Sequence, residues 1–357
     1  MMLESKKVFI DTQYYIQKGL DFDYPALSSF RDLCKQDKLI NFTTSVVRQE
    51  VYGKIKDSTT VALGIIKDFK RKRHILTAIN QNFNCSVFDD INHDVIYEQA
   101  NISFDNFLKE CSTTIVDSSE INAEDLLELY FNQSPPFSEK KKKEFPDAIS
   151  LLSLKSHLDT DEKIYVVSDD PDMNEFCKTD TQMISVESLE KVLDLYNQHD
   201  ENITIKIKEY ISEHDSQIKE KIESILKDTE IYNNSTWEDS EINDFHITGI
   251  GTINPNIINI KDDGCLTMFD IDIEFEIHAS GPDYINSSIY DKEDGKLYVF
   301  DTVERIEYID KTFTVEIEFI YEIEDSTLKE IEIDSLDIAN ISSGIEVDVD
   351  ESPDYYV

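Results

Sequence analysis

The spacing of apolar residues changes near residue 200, and the two patterns require different architectures. Downstream, MFDIDIEFEIH (Met268–His278) sets Phe269, Ile271, Ile273, Phe275 and Ile277 against Asp270, Asp272, Glu274, Glu276 and His278. TFTVEIEFIYEIE (Thr312–Glu324) sets Phe313, Val315, Ile317, Phe319, Tyr321 and Ile323 against Glu316, Glu318, Glu322 and Glu324. Only an extended backbone sends alternate side chains to opposite faces. Both segments are therefore predicted to be antiparallel strands, apolar toward a core and acidic toward water. A charged outer face also discourages edge-to-edge pairing.

Residues 1–200 follow another rule, in which short apolar runs alternate with helix-length segments. The runs are KVFID ending at Asp11, KLINF (Lys38–Phe42), TTIVD (Thr113–Asp117), KIYVVSD and the weaker QMISV (Gln182–Val186). Thr43, Thr44 and Ser45 are N-cap candidates for a helix through VVRQEVYGKI. Further helices are expected around Val61–Asn80 and Val95–Glu110, through NAEDLLELYF, and over FPDAISLLSLKSHL. In the last, Pro146 and Asp147 suit a first turn. Such alternation predicts an α/β domain over 1–200, a parallel sheet with helices on both faces.

Ile207, Ile211, Ile218, Ile222 and Ile225 then mark one face of a linking helix over 201–230. YNNSTWEDSEIND reads as a polar connection. Residues 231–357 are expected to form an acidic antiparallel-β (α+β) domain, with DVDESPDYYV as a loose tail.

Charge follows the same division. The chain has 357 residues, 34 Lys+Arg and 75 Asp+Glu, for a net charge of −41. Residues 1–182 account for −9 of it and residues 183–357 for −32. The second half should repel nucleic acid, while the first clusters its cations in KDFKRKR and EKKKKEF. The five cysteines (Cys34, Cys85, Cys111, Cys177, Cys265) include no C-x-x-C pair. This argues against a zinc or disulfide framework and for a reducing cytoplasm. Neither a membrane-spanning stretch nor a signal-peptide pattern is expected.

In an open parallel sheet, ligands gather beyond the carboxyl ends of the strands, where strand order reverses. Asp11 ends the first strand, and Asp169 and Asp170 follow the fourth. Glu50 sits on the helix after the second strand, and Asp147 opens the helix before the fourth. In SDDPD, Asp169, Asp170 and Asp172 repel one another unless water on a turn or a bound cation relieves them. For Asp169 both explanations remain open. Carboxylates on one rim suit Mg2+ or Mn2+, hard ions that prefer oxygen. Such an ion acidifies its water and polarises phosphoryl oxygen, as phosphodiester hydrolysis requires.

Rival acidic motifs fail on particular residues. An EF-hand loop opening at Asp170, Asp172 and Asn174 would have Glu175 in place of its glycine and Thr181 in place of its closing Glu. The first strand offers Asp11-Thr12-Gln13 rather than the D-x-D of haloacid-dehalogenase phosphatases. It also lacks the paired acid of a response-regulator receiver.

The ordered set resembles the PIN-domain nuclease family. VFIDTQ is similar to its first motif, VVRQEV to the helix carrying its Glu, FPDAIS to its third motif and VVSDDPDM to its fourth. SPPFSEKKKKEFPDAI also resembles a bacterial PIN-like subgroup with a Lys-rich segment before the third acid. The resemblance covers about residues 5–190 and implies a three-layer α/β/α fold. It implies Asp11, Glu50, Asp147 and Asp170 as catalytic metal ligands, with Asp172 as a further ligand. Ser168 would support them, and Thr12 would orient the first Asp. The departures are Gln13, Met173 and the additional Asp169.

The resulting expectation is a cytoplasmic endoribonuclease dependent on Mg2+ or Mn2+, hydrolysing RNA through a metal-activated water. Lys70, Arg71, Lys72 and Arg73, with Lys140, Lys141, Lys142 and Lys143, are the candidate phosphate contacts. A toxin, RNA-decay or phage-defence setting is implied by the resemblance alone. The alternatives are a non-catalytic protein acting through its acidic domain, with a basic protein as its partner, and a structure-specific DNA nuclease of the same superfamily.

Overall fold

The computed structural model describes residues 3–72, 92–138, 144–198, 201–324 and 327–352. Contacts divide the chain into two units, Met1–Tyr196 and Asn197–Val357.

In the first unit, β1 (Lys7–Ile10), β2 (Ile40–Thr44), β3 (Thr114–Val116), β4 (Ile164–Val167) and β5 (Met183–Val186) form one sheet. Its order is β3-β2-β1-β4-β5, and every pair is parallel. Val8, Phe9 and Ile10 of β1 and all four residues of β4 are buried. Flanking helices cover the sheet, so its central strands read as continuous apolar runs rather than alternating ones.

The helices begin where capping chemistry is available. Asp11 caps α1 (Thr12–Gln17), and Pro25 opens α2 (Pro25–Lys35). Thr44 Oγ1 accepts from the Val47 N–H at 3.1 Å at the start of α3 (Ser45–Lys72). Thr44, the last residue of β2, thus caps α3, which runs unbroken past Val61 to Lys72; the rest of the helix expected to Asn80 lies outside the described residues. Asn92 caps α4 (His93–Glu110) and Asn122 caps α5 (Ala123–Asn132). Then follow α6 (Phe145–His157), α7 (Pro171–Thr179) and α8 (Leu189–Asn197). Tyr15 packs edge-on against Phe104 and Phe107, whose rings lie 5.8 and 6.1 Å away. This cluster anchors α1 and α4 beside the sheet.

The second unit opens with two helices, α9 (Glu201–Glu213) and α10 (Asp215–Lys227), where one linking helix was expected. The break falls at His214, with φ −107° and ψ 16°. Its ring stacks on Tyr210, with centroids 4.0 Å apart. Ile203, Ile207, Ile211, Ile218, Ile222 and Leu226 are buried in one core with Phe269, Phe275, Val315 and Ile317.

After β6 (Ile231–Asn233), the strands β7 (Glu241–Ile250), β8 (Asn256–Ile260), β9 (Gly264–Pro282), β12 (Thr302–Glu324) and β13 (Thr327–Ile338) build an antiparallel sheet. The order is β13-β12-β9-β7, with β8 also paired to β9. A hairpin, β10 (Ser288–Asp291) with β11 (Lys296–Val299), stands apart from it. The expected alternation holds along β9, where Phe269 to Ile277 are buried at every second position. Along β12 it holds through Tyr321, but Ile323 is 46% exposed, beyond the last buried position of the strand. On the outer face, Thr314 and Thr312 donate to Asp270 and Asp272 at 2.7 and 2.6 Å.

Two segments read as polar or loose are held in place. In the connection after β6, Trp237 is buried and its Nε1–H donates to the Pro282 carbonyl at 2.9 Å. Past β14 (Ile345–Val347), which pairs in parallel with β6, Val349 exchanges two 2.8 Å hydrogen bonds with the Asn233 side chain. Glu351 then accepts from the Ile285 N–H at 2.8 Å. Residues 353–357 lie outside the described residues. Among the described residues, no helix is long and apolar enough to cross a membrane.

Candidate active site

Strand order reverses at β1, which has β2 on one side and β4 on the other. The two strand ends at this point are joined by the Asp11 N–H, which donates to the Val167 carbonyl at 3.0 Å. Beyond them opens a cleft of about 540 Å3. Asp11, Glu50, Asp147 and Asp170 all line it, as do Asp57 and Asp169. Elements separated by up to about 160 residues thus bring six carboxylates to one rim.

Each acid is placed by local backbone chemistry. Asp11 accepts from the Thr12 N–H at 2.7 Å as the cap of α1. Asp170 accepts from the Asp172 N–H at 2.7 Å and the Met173 N–H at 3.4 Å as the cap of α7. Asp147 sits in the first turn of α6, behind Pro146. Helix N-termini favour negative charge, so three of the acids stand where a carboxylate is tolerated. Glu50 is held from the side, where Thr12 Oγ1 donates to its Oε2 at 2.7 Å. The Thr12 hydroxyl was expected to orient Asp11. It turns to Glu50 instead, and only the Thr12 backbone serves Asp11.

Ser168 is buried behind the cleft. Its Oγ lies 3.4 Å from Asp11 Oδ2 and accepts from the Asp170 N–H at 3.1 Å. Asp172 contributes its N–H to the Asp170 cap but does not line the cleft, whereas Asp169 does. Gln17 Nε2 donates to Asp169 Oδ2 at 2.5 Å. Of the three acids of SDDPD, the adjacent Asp169 and Asp170 both line the cleft.

The protonation states record crowding. Burial pushes Asp11 up to about 6 against the backbone N–H groups of Thr12 and Gln13, with the Glu50 charge adding to the rise. Burial also leads in raising Asp147 to about 8, followed by a hydrogen bond from its protonated carboxyl to Glu144 and the charges of Asp11, Glu144 and Glu50. Asp11, Glu50 and Asp147 therefore sense one another directly.

Of the proposed phosphate contacts, Arg71 is exposed and pairs with Asp68 at 3.3 Å on its own helix. The side chains of Lys70 and Lys72, together with Arg73 and Lys140 to Lys143, lie outside the described residues. Reading the sequence missed Gly53, Lys54 and Asp57, which line the cleft from α3. Their signal was present in the spacing, since positions three, four and seven after Glu50 share its helix face.

The donor set is oxygen only, which fits a hard divalent cation and not a thiolate- or imidazole-seeking one. Among the described residues, no three His, Cys, Asp or Glu side chains form a ready coordination group. The carboxylates line one cleft without being drawn onto a common centre.

Fold and cleft together define an α/β protein with an acidic site at the switch point of a parallel sheet. Residues 8–173 match the family model for the PIN domain, which supports the PIN-domain nuclease family for this part of the chain. The superfamily consists in general of hydrolases of nucleic acids dependent on Mg2+ or Mn2+. Searches of curated proteins and of solved structures each found no match. The second unit lies outside the matched residues.

Proposed function

We propose that the first unit is an endoribonuclease that hydrolyses phosphodiester bonds of RNA with Mg2+ or Mn2+. The observation that carries this reading is the convergence of Asp11, Glu50, Asp147 and Asp170 on one cleft at the switch point. Bound there, the ion would supply a water of lowered pKa and polarise a phosphoryl oxygen. Asp11 and Asp170, fixed by their capping bonds, and Asp147 would hold the ion, with Glu50 positioned by Thr12. The raised affinity of Asp11 and Asp147 for protons comes first from burial and then from neighbouring carboxylate charge, which a cation would relieve. The acidic second half supports RNA over duplex DNA, because it offers no further basic surface to grip a long duplex. Cytoplasmic location and a toxin, RNA-decay or phage-defence setting follow from composition and family resemblance.

The test is cleavage of total RNA, tRNA and single-stranded DNA by the full chain with Mn2+, with Mg2+ and with EDTA. Metal-dependent cleavage of RNA supports the reading. Cleavage of DNA alone would move the protein to the DNA-nuclease alternative. Cleavage unaffected by EDTA would remove the metal mechanism.

A further inference from the structure

Among the described residues, six carboxylates line the cleft against one cation, Lys54. Even with a divalent ion bound, an incoming phosphodiester meets net negative charge. Lys54 lies one helical turn past Glu50 on α3, is exposed, and has no ion-pair partner among the described residues. It is thus an uncommitted ammonium facing the acid cleft.

The residue beside it carries the second observation. Gly53 lies in the interior of a 28-residue helix, where glycine is the least favoured residue after proline. Internal packing usually explains such a glycine, but a Cβ built on Gly53 meets nothing within 4 Å. Gly281 shows the contrast, because a Cβ there would lie 2.7 Å from the Trp237 ring. Gly53 lines the cleft with its backbone bare on the same wall as Lys54. The protein itself leaves that space open.

We propose that Gly53 and Lys54 form the seat for the backbone of a single-stranded nucleic acid, a reading that rests on the hydrolase function above. The missing side chain lets the strand approach α3 closely, and the Lys54 ammonium neutralises a phosphate next to the one cleaved. Among the described residues, no aromatic ring lines the cleft to stack a base. Contact is therefore through phosphate and tolerant of sequence.

Gly53→Ala separates this seat from a purely structural role, because the two predict opposite outcomes. Alanine favours the helix and meets open space, so the variant should melt at or above the temperature of the wild type. Its KM for a short single-stranded RNA should nevertheless rise. Lys54→Gln should raise KM about tenfold, as loss of a charge-assisted contact does. It should also reduce the slope of log affinity against log salt by roughly 0.7, one phosphate's share on a single strand. Lys54→Arg should recover most of the affinity.

Cleavage with Mn2+ and anisotropy of the same fluorescent RNA with Ca2+ are measured on all four full-length chains. Wild-type cleavage with Gly53→Ala and Lys54→Gln both matching it overturns the seat and leaves the hydrolase standing. A Gly53→Ala chain that melts lower assigns that glycine to packing and overturns its role. If the wild type does not cleave but binds RNA through both residues, the hydrolase reading fails and the seat stands. Neither cleavage nor binding of RNA by the wild type removes both.

Discussion

The Thr12 hydroxyl donates to the Glu50 carboxylate across 2.7 Å, tying the first turn after β1 to α3. One residue thereby serves two acids, Asp11 through its N–H and Glu50 through its side chain. Thr12→Val keeps the shape and the backbone bond but removes the donor. We expect kcat to fall about tenfold, the scale of one hydrogen bond to a charged group, with the melting temperature nearly unchanged. Thr12→Ser should restore the rate. Equal kcat in wild type and Thr12→Val would show that Glu50 needs no such support.

Asp11→Asn should abolish cleavage without harming the fold, because asparagine also caps a helix. In the metal-free protein it removes a buried carboxyl that burial has already raised to about 6. Its melting temperature at pH 7–8 should therefore exceed that of the wild type. Full activity in this variant would end the proposed mechanism.

Asp147 makes stability depend on pH with a defined sign. Its folded-state pKa, about 8, lies above its ordinary value of 3.8, so the folded chain binds the proton more tightly than the unfolded one. The associated stability is fully present below about pH 4 and is lost as pH rises through about 8. Metal-free Asp147→Asn should thus melt a few degrees above wild type at pH 8, on the order of 1 kcal/mol after screening at this half-buried site. The difference should vanish near pH 4. Thermal melts of both chains across this range check it, and a gain that grows toward acid pH would refute it.

Adding Mn2+ to the wild type should raise its melting temperature with increasing concentration, as any ligand of the folded state does. Asp11→Asn and Asp170→Asn should blunt the rise, and EDTA should abolish both the rise and the cleavage. A melting curve indifferent to Mn2+ would argue against a metal in the cleft.

In the second unit, Gly281→Ala should destabilise by about 1–3 kcal/mol through overpacking. The added methyl would stand 2.7 Å from the Trp237 ring and 2.9 Å from Ser240 Cβ. Cleavage kinetics below the melting point should not change, since the substitution lies outside the PIN domain. Unaltered stability would mean that the connection carrying Trp237 yields easily.

Patterns of short range were legible in the sequence. Periodicity separated the two units, apolar runs located β1 and β4, and the four acids followed the PIN order. Each of these signals lies within a turn of helix or a few residues of strand. The break at His214 and the docking of Val349 on Asn233 were not legible, because both depend on partners supplied by the fold.

The sequence by itself determined which elements form and which carboxylates stand at their ends, because caps and alternating faces are set by neighbouring residues. Tertiary structure alone decided that Asp169 faces the cleft and Asp172 does not, and that the Thr12 hydroxyl serves Glu50. Direction and distance between residues so far apart are fixed by strand register and helix packing, which no local pattern encodes.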